Sequence, residues 1–327
     1  MEPGFTPLSL AMADPSAHAT HATALSLNHF ASDQFQFEDC TEETRWRLDE
    51  LDVVIEPQRK TIWQFMRPQA RPSFTRGLLR DLNKVADGVE AAFARCTSQQ
   101  QRPVDFVVTS SHMPGIFNLG GDLGLFLQLI EQRDRDGLRR YAHACARGQY
   151  RLHTSFDVPV SMVALVQGDA LGGGFEAALA HDVIIAERQA KFGLPEVLFN
   201  LFPGMGAYTF LARRLGSVQA ERMILSGKIY GAEELHDMGI IDRLAEPGEG
   251  VDAVHEFMTE FQRIRHCRQA VLKARKIVDR VTLEELIDIA DVWVDTALQL
   301  GESDLRRMGH LAKAQDRRWS KLESTHA

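Results

Sequence analysis

Cysteine is scarce in this 327-residue chain. Cys40, Cys96, Cys145 and Cys267 lie too far apart for a CxxC pair or a Cys/His ligand set. A disulfide scaffold and a structural metal site are thereby excluded, and free thiols in a reducing compartment are expected. No apolar run approaches the roughly 20 residues of a membrane-crossing helix, so no membrane insertion is expected. The N-terminus lacks the basic start and apolar block of a secretory signal, which makes the cytoplasm the expected location. Positive charge is not in excess either: 37 Lys and Arg against 45 Asp and Glu give a formal charge of -8, with no dominant basic stripe. Nucleic acid is therefore not expected as a partner. The phosphate-cradling patterns G-x-G-x-x-G and GxxxxGK[ST] are absent as well.

What is present suits a globular protein with a sizeable core, since 44% of residues are hydrophobic and 25% charged. Residues 1–40 are rich in Ala, His, Ser, Thr and Pro with weak periodicity, and are expected to form a disordered extension. His18, His21 and His29 fall there without acidic or thiol partners, so no metal site is expected. Leu51–Glu56 and Thr61–Arg67 read as strands of a hairpin around Pro57-Gln58-Arg59-Lys60. Helical spacing of Leu78, Leu79, Leu82, Val85 and Val89 predicts a helix over Phe74–Ala94. A buried strand over Val104–Thr109 runs into the loop SSHMPGIFNLGGD, residues 110–122. Helices are expected over Leu123–Ile130 and Leu138–His153, with Gly137 as the break between them.

Strands follow at Ser161–Val166 and Asp182–Ala186, then helices at Ala207–Leu215, Ser217–Leu225 and Ala232–Met238, then a strand at Ile240–Ala245. Pro247-Gly248-Glu249-Gly250 is the clearest punctuation, and everything beyond it reads as helix. Thr282-Leu283-Glu284-Glu285 has the capping-box pattern, and Leu286, Ile287, Ala290, Trp293, Val294 and Ala297 share one face of the helix it opens. The basic residues near the end (Arg306, Arg307, Lys313, Arg317, Arg318, Lys321) interleave with acids and Gln and read as a solvated face. Alternating strands and helices followed by a helical tail define an α/β protein: a catalytic core over 41–250 and a helical domain over 251–327.

Chemistry concentrates in Val166–Gly206. The apolar run Val160–Val166 feeds Gly172-Gly173-Gly174, and a helix-compatible segment begins at Phe175. A strand, a glycine turn and a helix start expose backbone N–H groups that the helix cannot satisfy. A glycine run alone commonly marks only a tight turn. Here a second glycine pair, Gly120-Gly121, follows another apolar strand, and two amides on converging loops are what an oxyanion hole for a thioester carbonyl requires. Glu176 and Glu196 stand among apolar neighbours, a setting that raises a carboxyl pKa toward the range useful for proton transfer. His112, beside Pro114 and Gly115, reads as a loop residue, and His181 as structural.

Four ordered motifs carry a family resemblance: Gly120-Gly121-Asp122, Gly168 to Glu176, Gly193-Leu194-Pro195-Glu196 and Pro203-Gly204-Met205-Gly206. With Leu211 to Gly216, they resemble the crotonase (enoyl-CoA hydratase/isomerase) superfamily over about Leu51 to Ala245. The resemblance implies a ββα spiral core, no cofactor, and an oxyanion hole from the amides of Gly121 and Gly173. Glu176 and Glu196 match the two catalytic glutamates of the hydratases. It also implies assembly as a homotrimer or hexamer.

A narrower resemblance, to bacterial diffusible signal factor synthases, rests on Phe117 to Leu123, Leu194 to Phe199 and Trp293 to Gly301. It implies dehydration of a 3-hydroxyacyl-acyl carrier protein to the cis-2-enoyl thioester, then hydrolysis to a free fatty acid. The substrate pocket it implies includes Leu119, Gly120, Met205, Trp293 and Leu311, and a membrane sensor histidine kinase would be a partner. Bulky Asn118-Leu119 ahead of the first oxyanion glycine, and no basic residue within Ser111–Phe117, depart from ordinary CoA hydratases. The alternative is a CoA-dependent enoyl-CoA hydratase or isomerase acting on acyl-CoA.

Overall fold

A computed structural model describes residues 42–96 and 102–325. The expected extension over 1–40, with its histidines and Cys40, lies outside the described residues. Among the described residues, eleven strands, arranged in two sheets, alternate with eleven α-helices.

The larger sheet has seven strands: β1 (Thr44–Arg47), β2 (Leu51–Glu56), β3 (Thr61–Met66), β4 (Phe106–Ser111), β6 (Ser161–Val166), β8 (Val183–Glu187) and β11 (Arg243–Ala245), paired in that order. The hairpin between β2 and β3 turns through a 3-10 segment, Pro57–Arg59, and closes on Lys60 in the left-handed region at φ 50°. From β3 to β11 the pairing is parallel. Parallel strands are covered on both faces, which is why β3, β6 and β8 are buried at every residue and lack a polar alternation. One face packs on α8 (Gly250–Arg263), whose Val254, Phe257, Met258 and Phe261 recur at helical spacing. Phe106 of β4 meets Phe261 edge-on at 5.1 Å. The other face packs under α1 (Arg76–Arg95), α3 (Arg135–His153) and α4 (Gly173–Ala180).

The smaller sheet was not expected. Its four strands are β5 (Ile116–Asn118), β7 (Asp169–Leu171), β9 (Lys191–Gly193) and β10 (Ile229–Gly231), each three residues long. Segments this short carry no detectable alternation. The glycine run is accordingly fed by β7 and not directly by the Val160–Val166 run.

Gly137 is not a helix break. It sits inside α3, where its amide donates to the capping carboxylate of Asp134 at 2.8 Å. The chain turns instead at Arg133, with φ 51°, after α2 (Leu123–Glu131). The strand expected from Ile240 forms only over Arg243–Ala245. Between these elements run α5 (Ala207–Leu215), α6 (Ser217–Ser226) and α7 (Ala232–Asp237).

Three helices follow α8: α9 (Arg265–Val278), α10 (Leu283–Ala297) and α11 (Glu302–Thr325). Thr282 caps α10 by accepting from the Glu285 amide at 3.1 Å, while the Glu285 carboxylate turns away to Arg213 and Thr209. α10 packs on α3 through its apolar face and through paired charges, Arg139 with Asp291 at 2.9 Å and Arg135 with Asp295 at 2.7 Å. Among the described residues, no helix is long and apolar enough to cross a membrane.

Candidate active site

The small sheet brings the two glycine loops together. Gly120, at φ 95°, packs so tightly that a Cβ there would lie 2.8 Å from the Gly173 nitrogen. A Cβ on Gly174 would collide with the Asn118 carbonyl. Only glycine permits this approach, and at Gly120 and Gly172 (φ 51°) only glycine adopts the backbone without strain.

Among the described residues the Gly121 and Gly173 amides have no backbone partner outside the helices and strands, and the direction of each follows from the far end of its peptide, because C=O and N–H point oppositely in a trans unit. The Gly120 carbonyl accepts from Phe74 N at 2.7 Å, which turns the Gly121 N–H the other way. The Gly172 carbonyl accepts from Glu176 N at 3.0 Å, so the Gly173 N–H leaves the start of α4 outward. Neighbouring amides of the first loop are occupied: Leu119 N by Pro72 O at 2.7 Å, Gly120 N by Asn118 Oδ1 at 2.8 Å. Gly121 and Gly173 both border a cavity of about 310 Å³.

Both glutamates border the same cavity. Glu176 is fixed on α4, and its Oε1 accepts from Met205 N at 2.8 Å and Ala207 N at 2.9 Å, at the start of α5. Burial pushes its carboxyl above the usual range, and the backbone donors partly offset that rise. Glu196 stands in a 3-10 turn, Pro195–Phe199, closed by Asn200 in the left-handed region. Its carboxyl lies over Gly172, where a Cβ would come within 2.5 Å of Oε1. Its Oε2 is shut off from solvent without a hydrogen-bond partner among the described residues. Burial first, and then the neighbouring charge of Glu176, push its carboxyl upward. Both carboxyls are thus raised toward the range useful for proton transfer, and Glu176 is the one whose ionised form two N–H groups favour.

The remaining wall is mostly apolar. Leu119, Met205, Trp293 and Leu311 border the cavity; Gly120 does not, and its part is to let the loops approach. Trp293 packs edge-on to Phe126 at 4.9 Å and lies against Gly204. The terminal helix is more than a solvated face. Leu311, Ala314, Gln315 and Arg318 of α11 all border the cavity. Gln315 Nε2 donates to the Leu119 carbonyl at 3.0 Å, and Arg318 pairs with Asp169 at 2.7 Å.

Tyr141 and Gln315 escaped sequence reasoning, while Asn118 was singled out only for its bulk and Arg318 only as part of a solvated face. Tyr141 lies mid-helix, with no local signal of a loop 20 residues upstream. The loop-forming part of Asn118 was legible, since an Asn two residues ahead of a glycine can accept from that glycine's amide, as it does here. His181 donates and accepts through Ala177 O at 2.8 Å and Thr109 Oγ1 at 2.9 Å, and burial pushes its pKa down to about 4, so it is neutral packing. His112 stacks on Phe65 at 4.6 Å, half-exposed beside Asp52.

Comparison with known proteins accords with this geometry. The sequence profile of the Enoyl-CoA hydratase/isomerase family matches residues 61–319. Rat mitochondrial methylglutaconyl-CoA hydratase is 28% identical over 189 residues, 58% of this chain and 55% of the relative. The fatty acid oxidation complex subunit alpha of Idiomarina loihiensis is 34% identical over 169 residues, covering 51% of this chain and 23% of that one. The chain thus spans little more than half the length of the first relative and about a quarter of the second. Among solved structures, an enoyl-CoA hydratase from Bacillus halodurans shares the fold with a TM-score of 0.65 at 23% identity, covering 80% of this chain and all of that one. Pseudomonas aeruginosa DspI gives a TM-score of 0.58 at 25% identity, covering 73% and 91%. With its profile matched over most of its length and its fold shared, the chain belongs to the enoyl-CoA hydratase/isomerase family.

Proposed function

We propose that the chain removes water from a 3-hydroxyacyl thioester, or adds it to the 2-enoyl thioester. The observation that carries this reading is the meeting of two free amides and two proton-carrying carboxyls in one apolar cavity. The amides of Gly121 and Gly173 take the thioester oxygen and stabilise the enolate-like state that forms when C2 loses its proton. Glu176 and Glu196 are the base and acid of the pair in the dehydration direction; burial raises both carboxyls, and the backbone donors on Glu176 make it the readier of the two to ionise. One takes the C2 proton and the other protonates the departing hydroxyl, releasing one water.

We further propose the narrower activity, synthesis of a cis-2-unsaturated fatty acid signal from 3-hydroxyacyl-acyl carrier protein. After dehydration, water would attack the same carbonyl, the C–S bond would break, and the free acid and carrier thiol would leave. The oxyanion of that step would occupy the same two amides. The apolar wall of Met205, Trp293 and Leu311 supports an aliphatic chain as the substrate's tail. A hydrophobic wall sorts chain length by only about 1–3 kcal/mol per methylene, so a mixed product range is expected. The second reading, a CoA-dependent enoyl-CoA hydratase or isomerase, is favoured by the relatives' hydratase names.

The test is mass spectrometry of products from 3-hydroxydodecanoyl-acyl carrier protein, with crotonyl-CoA in parallel. Free cis-2-dodecenoic acid that disappears in Glu176→Gln and Glu196→Gln supports the synthase. Hydration of crotonyl-CoA without free acid from the carrier substrate leaves the hydratase. No turnover of either thioester removes both readings.

A further inference from the structure

We infer that Tyr141 is a positioning residue for the oxyanion hole, acting through the main chain of Phe74. This inference rests on the proposed thioester chemistry and adds a residue to its machinery. The Tyr141 side chain rises from α3, is buried, and has its ring against the cavity. Its hydroxyl donates to the Phe74 carbonyl at 2.5 Å and accepts from the Asp122 amide at 3.3 Å. Both of its polar functions are thereby engaged, so the hydroxyl has no proton to offer a substrate.

Those two bonds lie on either side of Gly121. Phe74 is bridged to Gly121 in parallel register, and its amide holds the Gly120 carbonyl at 2.7 Å. That carbonyl sets the direction of the Gly121 N–H through the planar peptide. On the other side, the Asp122 amide is drawn to the same hydroxyl, and the Asp122 carboxylate caps α2 by accepting from Leu125 N at 3.1 Å. Phe126 of that helix fills the space beneath Gly121 and packs edge-on to Tyr141 at 5.1 Å. One hydroxyl therefore ties together Phe74, the bridge residue that orients the donor, and Asp122, the residue that follows the donor. Without it, the Phe74 carbonyl and Asp122 amide lose their shared partner in a buried place, and the Gly120–Gly121 peptide can rotate.

The test is Tyr141→Phe, which removes one oxygen and keeps the ring. The expected result is a fall in kcat of about 10–10²-fold with KM changed less than about twofold, since the donor matters more to the oxyanion than to the bound ground state. The two limbs of the pH–rate profile should keep their midpoints, because neither glutamate is touched. Difference infrared spectroscopy of a bound enoyl thioester, ¹³C-labelled at its carbonyl, supplies a reading that needs binding alone. The wild-type protein should lower the carbonyl stretch relative to solution, and Tyr141→Phe should restore most of that shift.

Leu138→Ala, in the same helix and facing the core, provides a destabilised control away from the cavity and should leave kcat and the stretch at wild-type values. Equal losses in Tyr141→Phe and Leu138→Ala, or an unchanged stretch in Tyr141→Phe, would overturn the inference. If wild-type protein neither binds nor turns over a thioester, the proposed function fails first, and that failure is visible before any variant is made. Should Tyr141→Phe not fold, 4-fluorophenylalanine at position 141 fills the space of the hydroxyl without its proton. Loss of most of the carbonyl shift in that variant supports the role of the hydroxyl, and a wild-type stretch overturns it.

Discussion

The two sheets use the same backbone groups in opposite ways. In the seven-stranded sheet the parallel ladder from β3 to β11 consumes amides and carbonyls, and the side chains supply the apolar packing on both faces. In the four-stranded sheet the ladders are three residues long, and what matters lies where they stop. Gly121 follows β5, Gly173 follows β7 and Glu196 follows β9, each within a few residues of the strand's end. Long ladders hold the fold, and short ones leave donors unspent at a chosen place. On the proposed function, stability and chemistry fall to different sheets, and mutation can separate them.

The largest effect is expected at the carboxyls. Glu176→Gln and Glu196→Gln should each lower kcat by about 10²–10⁴-fold, while the far-UV circular dichroism spectrum stays that of the parent. Activity within tenfold of wild type in either variant would remove that glutamate from the proposed mechanism. Next is the approach of the loops. Gly174→Ala places a methyl group against the Asn118 carbonyl and should force the two loops apart, costing about 10²–10³-fold in kcat as an oxyanion donor is lost. Steady-state kinetics together with a melting curve separate this from unfolding.

The converse experiment belongs to the large sheet. Ile62→Ala in β3 empties a fully buried site and should cost roughly 2–5 kcal/mol in chemical denaturation with kcat unchanged at a temperature where the protein is folded. A large kcat loss there would blur the division between the sheets. A smaller effect concerns pH. Burial and the charge of Glu176 raise the Glu196 pKa above its value in the unfolded chain. From the ordinary carboxylate range up to that raised value, the folded state therefore binds more protons than the unfolded state. Stability contributed by this group is present at low pH and is lost as pH rises through the window. Glu196→Gln should accordingly raise Tm at alkaline pH, with the gain shrinking on acidification. The smallest effect is expected at the start of β7 in the small sheet. Arg318→Ala breaks a partly exposed ion pair with Asp169 and should cost no more than about 1 kcal/mol, less in high salt.

Legibility in the sequence follows the same division. Strands β2, β3 and β6 were evident as apolar runs because their burial on both faces demands such runs, and α10 was evident from its cap and from Leu286, Ala290, Trp293, Val294 and Ala297. The small sheet was invisible as strands, since three residues hold no periodicity. Its motifs were still visible, because Gly120, Gly172 and Gly174 answer to steric demands that no other residue meets. Gly137 misled because glycine suggests a break, whereas near a helix start its amide merely serves a cap. Arg318 misled in the other direction. Its composition is that of a solvated face, and only the packing of α11 over the cavity gives it a partner in β7. Tyr141 left no trace, because a hydroxyl that binds main chain 67 residues away is a tertiary fact.

The anchoring of Gly121 and Gly173 through their neighbours' carbonyls has an evolutionary consequence. A donor carried by the main chain has no side chain of its own to lose, so, proline aside, a substitution removes it only by displacing the backbone that aims it. Inactivating changes should therefore spread through a halo of residues that never meet the substrate, such as Phe74, Asn118 and Gly174. A survey of random variants would see that halo as a second active site, larger than the first and invisible to any inhibitor.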